Sequence, residues 1–305
     1  MRMDEKVVLI TGANSGVGFA TARKLAELGA AVVMVCRNPA RGNAARAEIA
    51  KVATGPAPTL LLADLSSQAS IRALASEIRT QFSRIDVLIN NAGAMFAGRE
   101  LTAEGIEKTF AINHLAPFLL TNLLVDLVHA APAGRVITVA SESHSGTLDF
   151  DNLQGERHYN CFGACSRAKL GNILFTYELA RRLEGTGTTA NCLSPGPTRT
   201  PFGSNMRGLP RLFPRLMKRV PFLFVSPDKG AETPVYAACS QEAAELSGRF
   251  FLRLRETRTK PITYNSDVAA RLWKVCEDLC PNAAAAPRNV WVHGMVAADT
   301  AAGQG

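Results

Sequence analysis

Two clusters in this 305-residue chain have the residue types and spacing to do chemistry. The first is Thr11-Gly12-Ala13-Asn14-Ser15-Gly16-Val17-Gly18, which follows the short apolar run Lys6 to Ile10 and opens a helical pattern from Gly16 to Leu28. A glycine turn between a strand and a helix lets the backbone approach a pyrophosphate, and the free N–H groups at the helix N-terminus then face the anion. At the end of the next apolar run, Ala31 to Cys36, there is no carboxylate to accept from a ribose 2′-hydroxyl. Arg37 stands there instead, placed to pair with a 2′-phosphate, with Arg41 as a second contact, so the pattern points to NADP(H). The second cluster is Cys165 and Lys169, four residues apart and therefore on one helix face. A free thiol titrates near pKa ~8.5 and a neighbouring ammonium lowers that, so the spacing predicts a thiol shifted toward thiolate.

These residues need a scaffold, and the hydrophobic periodicity describes one. Strands are expected over Lys6–Ile10, Ala31–Cys36, Thr59–Ala63, Ile85–Ile89, Arg135–Ala140, Thr188–Leu193 and Gly248–Leu252. Helices are expected over Gly16–Leu28, Asn43–Val52, Ser67–Phe82, two stretches within Thr102–Ala130, and Ala164–Leu183. Short β runs alternating with helices mean βαβ units. With right-handed crossovers they make a single doubly wound, Rossmann-type α/β domain whose central parallel sheet has about seven strands. The domain is expected over residues 1–281, with a loosely ordered tail over 282–305.

Further segments extend the pattern. Asp64-Leu65 follows the third strand, Asn90-Asn91-Ala92-Gly93 the fourth and Pro195-Gly196 the sixth, with Thr198 and Thr200 beyond. The spacing TGxxxGxG and the NNAG segment resemble the short-chain dehydrogenase/reductases, from roughly Glu5 to Leu279. Asn113-His114-Leu115, Asp149 through Glu156, and Lys169 through Thr176 resemble the retinol-dehydrogenase-like branch. The resemblance implies that Gly12, Asn14, Ser15, Gly16, Val17 and Gly18 hold the pyrophosphate and that Asp64 and Leu65 lie at the adenine. It also implies that Asn91, Ala92, Gly93, Lys169, Pro195, Gly196, Thr198 and Thr200 serve the rest of the cofactor. The family's chemistry uses Asn, Ser, Tyr and Lys, with tyrosine exchanging the proton. Asn113, Ser141 and Lys169 match three of these positions, and Cys165 stands where the tyrosine belongs. Tyr159 and Tyr177 are ten before and eight after Lys169, out of frame.

Three functional readings stay open. The chain is an NADP(H) oxidoreductase with an atypical proton relay, or the fold runs redox-neutral chemistry (cyclisation, dehydration or isomerisation), or it is a cofactor-binding pseudoenzyme. Residues 202–225, rich in Phe, Leu, Met and Arg, fall where relatives place a substrate lid, and suit a bulky polyketide-, terpenoid-, steroid- or retinoid-like substrate. The same segment reads also as a peripheral membrane contact or a packing or homo-oligomer surface.

Composition sets the outer bounds. Net charge is +8, but no long Lys/Arg run or aromatic-basic alternation suggests nucleic acid. The seven cysteines are scattered, and the i,i+4 pairs Cys161/Cys165 and Cys276/Cys280 fit neither a disulfide framework nor a zinc site. No apolar run is read as reaching the ~18 residues of a membrane span, and the start MRMDEKVVLITG lacks a signal-peptide pattern. A cytoplasmic protein is the expectation.

Overall fold

Val7–Thr11 (β1), Ala31–Cys36 (β2), Thr59–Leu62 (β3), Val87–Asn90 (β4), Arg135–Val139 (β5) and Thr189–Ser194 (β6) are built largely from Val, Ile and Leu. Strands buried on both faces read as continuous apolar runs and pair in parallel, because helical crossovers cover both sides. In the computed structural model, which describes residues 2–198 and 224–281, these six strands pair in the order β3-β2-β1-β4-β5-β6. Phe250–Leu252 (β7) continues the parallel sheet, and Arg255–Glu256 (β8) closes its edge antiparallel to β7. The sheet therefore has eight strands rather than about seven. The additional one is two residues long, too short to leave a periodic signal.

Gly16–Glu27 (α1), Pro39–Ala50 (α2) and Pro227–Cys239 (α7) cover one face, above a core that includes Val8, Ile10, Leu25, Met34, Ile89 and Leu193. Gln68–Gln81 (α3), Ala116–His129 (α5), Cys161–Arg182 (α6) and Ser266–Leu279 (α8) cover the other. Caps explain where helices begin. Asn38 accepts from the Arg41 N–H at 2.9 Å and Pro39 takes the first turn, so α2 starts before the expected Asn43. Asn160 accepts from the Gly163 N–H at 2.6 Å, which starts α6 at Cys161.

The Thr102–Ala130 region is broken in a specific way. A short helix, Lys108–Phe110 (α4), passes into a π-helical turn, Ala111–Leu115, and then into α5. The stretch Lys108–His129 is long and apolar enough to cross a membrane by length and composition, which corrects the expectation of no such run. Nearly all of it is buried inside the fold, where Phe118, Leu119, Leu120, Leu124 and Val128 form the centre of one core layer.

α8 was not legible as an element, yet it seals that layer. Trp273 packs edge-on to Phe118 at 5.0 Å and stacks on Phe175 at 5.7 Å, with the Arg182 guanidinium over its other side at 4.1 Å. Its indole N–H donates to Glu277 Oε1 at 2.9 Å. The expected substrate segment, 202–225, falls outside the described residues apart from Phe224 and Val225, as does the 282–305 tail. The chain around it is pinned: the Val225 N–H donates to the Pro197 carbonyl at 2.8 Å, and Thr198 pairs with Val225 in a parallel bridge. Trp273→Ala should cost roughly 3–5 kcal/mol of unfolding free energy, read by denaturant titration.

Candidate active site

The sequence-selected positions among the described residues gather at the carboxyl edge of the sheet, where a doubly wound fold binds its ligands. The edge is organised by Thr11. Its Oγ1 accepts from the Asn91 and Ala92 N–H groups, both at 3.0 Å, while Asn91 Nδ2 returns a hydrogen bond to the Thr11 carbonyl at 2.8 Å. β1 and β4 are thereby tied together just where the glycine turn begins. Gly12 has φ +69 and Gly16 φ +57, a left-handed backbone that glycine adopts without strain. A Cβ on Gly18 would sit 2.3 Å from Asn91 Nδ2 and 2.4 Å from the Gly12 carbonyl oxygen, so only glycine lets α1 start this close to the sheet.

The cradle fits an anionic dinucleotide. Ser15 takes the N-cap position of α1 without a side-chain capping bond, and no acid occupies the first turn, so the helix N-terminus keeps donors available. Asn14 is half-buried beside it and Val17 is buried. Arg37, just past β2, is exposed and has no hydrogen bond or ion pair among the described residues. Asp64 turns its carboxylate onto Ser66, accepting from its N–H at 2.9 Å and its hydroxyl at 2.8 Å, and Leu65 packs against the core. Gly93 follows Ala92 in the half-buried turn after β4. Beyond β6, Pro195 precedes Gly196, whose φ is +75 and whose Cβ position is open space. Thr198 Oγ1 bonds back to the Gly196 carbonyl at 3.1 Å, and Thr200 lies outside the described residues.

The remaining four residues come from the π turn, the turn after β5 and α6. Asn113 is fully buried in the π turn, a distortion that recurs at functional sites. Its Oδ1 accepts from the Ala94 N–H at 3.0 Å, and its Nδ2 donates to the Ala94 and Thr109 carbonyls at 2.6 and 2.7 Å. Lys169 Nζ donates to the Val139 carbonyl at 2.7 Å, with Asn172 Nδ2 on the same oxygen at 3.2 Å. This docks α6 against the end of β5, two residues before Ser141. Ser141 Oγ accepts from the Ser143 N–H at 3.1 Å, leaving its own proton to donate. Cys165 lies one turn before Lys169 on the same face.

Neither nearby tyrosine replaces the absent one. Tyr159 Oη donates to the Phe96 carbonyl at 3.0 Å and lies 3.4 Å from Glu107 Oε1, beside a buried carboxylate that caps α4 by accepting from the Thr109 and Phe110 N–H groups. Tyr177 Oη meets Thr259 Oγ1 at 3.1 Å. Sequence reasoning missed Glu107 and Asn172 as organisers. A carboxylate two or three residues ahead of the N–H groups it caps, and an amide one helical turn after Lys169, were the available signals.

The pattern of the short chain dehydrogenase family matches residues 6–208. This chain belongs to that family. Retinol dehydrogenase 14 of Mus musculus is 42% identical over 287 residues, spanning 90% of this chain and 86% of that protein. Among solved structures, an uncharacterised protein from Mycobacterium paratuberculosis has a TM-score of 0.73 at 31% identity, covering 92% of this chain and 94% of that one. An NADP active-site complex of Pseudomonas aeruginosa RhlG has a TM-score of 0.66 at 22% identity, over 82% and 95% of the two chains, a likeness of fold.

Within this short-chain dehydrogenase the electrostatics of the helix face correct one expectation. Burial pushes the Cys165 thiol up, and the Lys169 cation offsets that only in part, so the thiol stays protonated. The same burial pushes the Lys169 ammonium down, with Cys165 opposing. Desolvation penalises whichever form is charged, and here it outweighs the pair's attraction.

His114, next to Asn113, shows the effect more strongly. It is fully buried, its Nδ1 meets Asn172 Oδ1 at 3.1 Å and its Nε2 meets Cys276 Sγ at 3.3 Å, which makes Nδ1 the protonated nitrogen of a neutral ring. Burial lowers its pKa from 6.5 to about 4. The neutral ring therefore contributes stability that is present above pH 6.5 and lost as pH falls through about 4. Urea titrations across that window should show unfolding free energy falling with acid. His114→Gln should remove up to one proton of that slope, at most ~1.4 kcal/mol per pH unit.

Proposed function

We propose that this short-chain dehydrogenase is an NADP(H)-dependent oxidoreductase acting on the carbonyl or alcohol of a bulky apolar molecule, with no tyrosine in its proton relay. The observation that carries the cofactor assignment is Arg37: a guanidinium just beyond β2 that is unpaired among the described residues, with no acid next to it in sequence, in a fold whose first helix also has an N-terminus without a side-chain cap. The backbone of Gly12, Asn14, Ser15, Gly16, Val17 and Gly18 would hold the pyrophosphate and Arg37 the 2′-phosphate. Asp64 and Leu65 would flank the adenine, and Asn91, Ala92, Gly93, Lys169, Pro195, Gly196, Thr198 and Thr200 the remainder. When bound, the cofactor supplies or accepts a hydride.

The chain's own groups divide the remaining work. Ser141, whose Oγ already accepts one hydrogen bond, donates its proton toward the substrate oxygen. Asn113 spends its whole carboxamide on Ala94 and Thr109, which makes it a positioning residue for the π turn. Cys165 holds a proton rather than a negative charge. Its sulfur reaches roughly 3–4 Å less far from the backbone than a tyrosine oxygen. A proton moves between thiol and substrate only if the substrate oxygen sits deeper, which suits a larger ligand in the space a phenol would fill. The apolar residues of 202–225 and the retinol dehydrogenase relatives support a substrate of that size and character.

Three measurements test this reading. Arg37→Ala should weaken NADPH by roughly tenfold or more and leave NADH unchanged, by calorimetry; equal losses would refute the 2′-phosphate contact. Cys165→Tyr should raise reduction of a small aldehyde by ~10²-fold or more and slow the native reaction, while Cys165→Ala should cost ~10²-fold if the thiol donates the proton and nothing if it only opens the pocket. Native turnover should change NADPH absorbance in proportion to product, falling for carbonyl reduction and rising for alcohol oxidation; product without any such change would replace the oxidoreductase reading with redox-neutral chemistry.

A further inference from the structure

The turn that carries Ser141 is held from outside the family's usual set of residues. His144 is buried, at 4% exposure, three residues after Ser141. Its Nδ1 lies 2.9 Å from the Ser141 carbonyl oxygen, an acceptor only, so Nδ1 carries the proton and donates. Its Nε2 is then free to accept, and the Lys260 N–H donates to it at 3.3 Å. Lys260 reaches back as well, its Nζ donating to the His144 carbonyl at 2.5 Å. From α6, the Ser166 hydroxyl donates to the Ser143 carbonyl at 2.9 Å, and the Ser166 backbone carbonyl accepts from the Ser145 N–H at 3.1 Å. The segment that supplies Lys260 is itself tied down, with Thr259 Oγ1 against Tyr177 Oη at 3.1 Å and against Thr263 Oγ1 at 2.6 Å.

From this arrangement we infer that His144 and Lys260 form a clasp that fixes the Ser141 turn, and that both are positioning residues for the reaction. The inference about turnover rests on the reading of Ser141 as the group that meets the substrate oxygen; the clasp itself does not. One backbone atom of Ser141 is the clasp's direct target. With its carbonyl held by His144 and its Oγ held by the Ser143 N–H, the hydroxyl oxygen of Ser141 is kept in one position with its proton available to donate. Preorganised donors are effective because they need no reorganisation during the reaction, and an error of about 1 Å in placement can cost 10²-fold.

The clasp works only with a neutral ring. A protonated imidazole has donors at both nitrogens, so it would lose the Lys260 N–H and set a cation beside the Lys260 ammonium. The elements around the turn add little further charge: β7 contributes Phe250, 6.3 Å from the ring centroid, α6 contributes Ser166, and Glu142 points outward on the turn itself. Burial holds the His144 ring toward its neutral form, opposed by the hydrogen bond to Ser141 and aided by the Lys260 charge. Acid should therefore open the clasp.

Amide hydrogen exchange on the full chain, read with kcat, tests this. His144→Ala and Lys260→Met should each speed exchange across 141–145, and His144→Ala should also speed exchange at the Lys260 amide, by about tenfold or more. Both should lower kcat about tenfold with NADPH affinity within twofold of wild type. His144→Gln, whose amide donates at one atom and accepts at the other but does not titrate, should recover most of the exchange protection and rate, and should lack the acid limb expected in wild-type kcat. Unchanged exchange at the turn in His144→Ala would overturn the clasp whatever the activity. Unchanged exchange in Lys260→Met would remove Lys260 from it. Accelerated exchange in both, with Ser141→Ala turning over at the wild-type rate, would leave the clasp standing and refute the role given to Ser141.

Discussion

The tie between Thr11 and Asn91 is the constraint on which the rest of the site depends. One hydroxyl accepts two backbone N–H groups from the turn after β4, and one side-chain amide returns to the end of β1. Adjacent parallel strands diverge beyond their last ladder bond, and an open fork there would leave buried polar groups without partners, each costing about 1–3 kcal/mol. The tie closes the fork and brings Asn91 against the start of α1. Gly18 then has to be glycine because Asn91 fills the space of its Cβ. The cradle, the helix direction and the free N–H groups all follow from that contact. So does the position of Ala94, which holds Asn113 and therefore the π turn.

On the other helix the same logic runs through Val139. Its carbonyl receives both Lys169 and Asn172, and Asn172 passes the connection on to His114, one residue from Asn113. Two buried polar chains thus meet around α6, and both are well supplied with partners. Cys165 stands at the edge of this network, one helical turn before Lys169. Desolvation dominates a pair of this kind: burial pushes the Cys165 thiol up and the Lys169 ammonium down, each against the pull of its partner.

The apolar segment Lys108–His129 shows how composition and environment part company. By length and hydropathy it meets the requirement for a bilayer span, and here the layer that surrounds it is protein: α3 and α6 on its flanks, Trp273 of α8 against Phe118 at its middle, β4 and β5 beneath. A core helix and a membrane helix solve the same problem, burial of an apolar surface with every backbone group bonded, so sequence alone cannot separate them. The π turn at its head adds a second function to the same segment, aiming Asn113 at the Ala94 loop.

What the sequence by itself determined is the part set by local rules. Strand and helix periods, the glycines of the first turn, the Asn-Asn-Ala-Gly segment, Arg37 at the end of β2 and the absence of tyrosine four residues before Lys169 are each written within a few neighbouring residues. They yielded the doubly wound sheet, its strand boundaries to within a residue or two, and the short-chain dehydrogenase assignment. The tertiary structure decided what depends on residues far apart in the chain: that α8 seals the core, that Asn113 is tied to Ala94 and Thr109, that Tyr159 and Tyr177 are engaged elsewhere, and that His144 meets Lys260. It also reversed the expected direction of the Cys165 shift. The spacing to Lys169 is a property of one helix, whereas desolvation is set by everything packed around it, and in a buried pair the surroundings outweigh the neighbour.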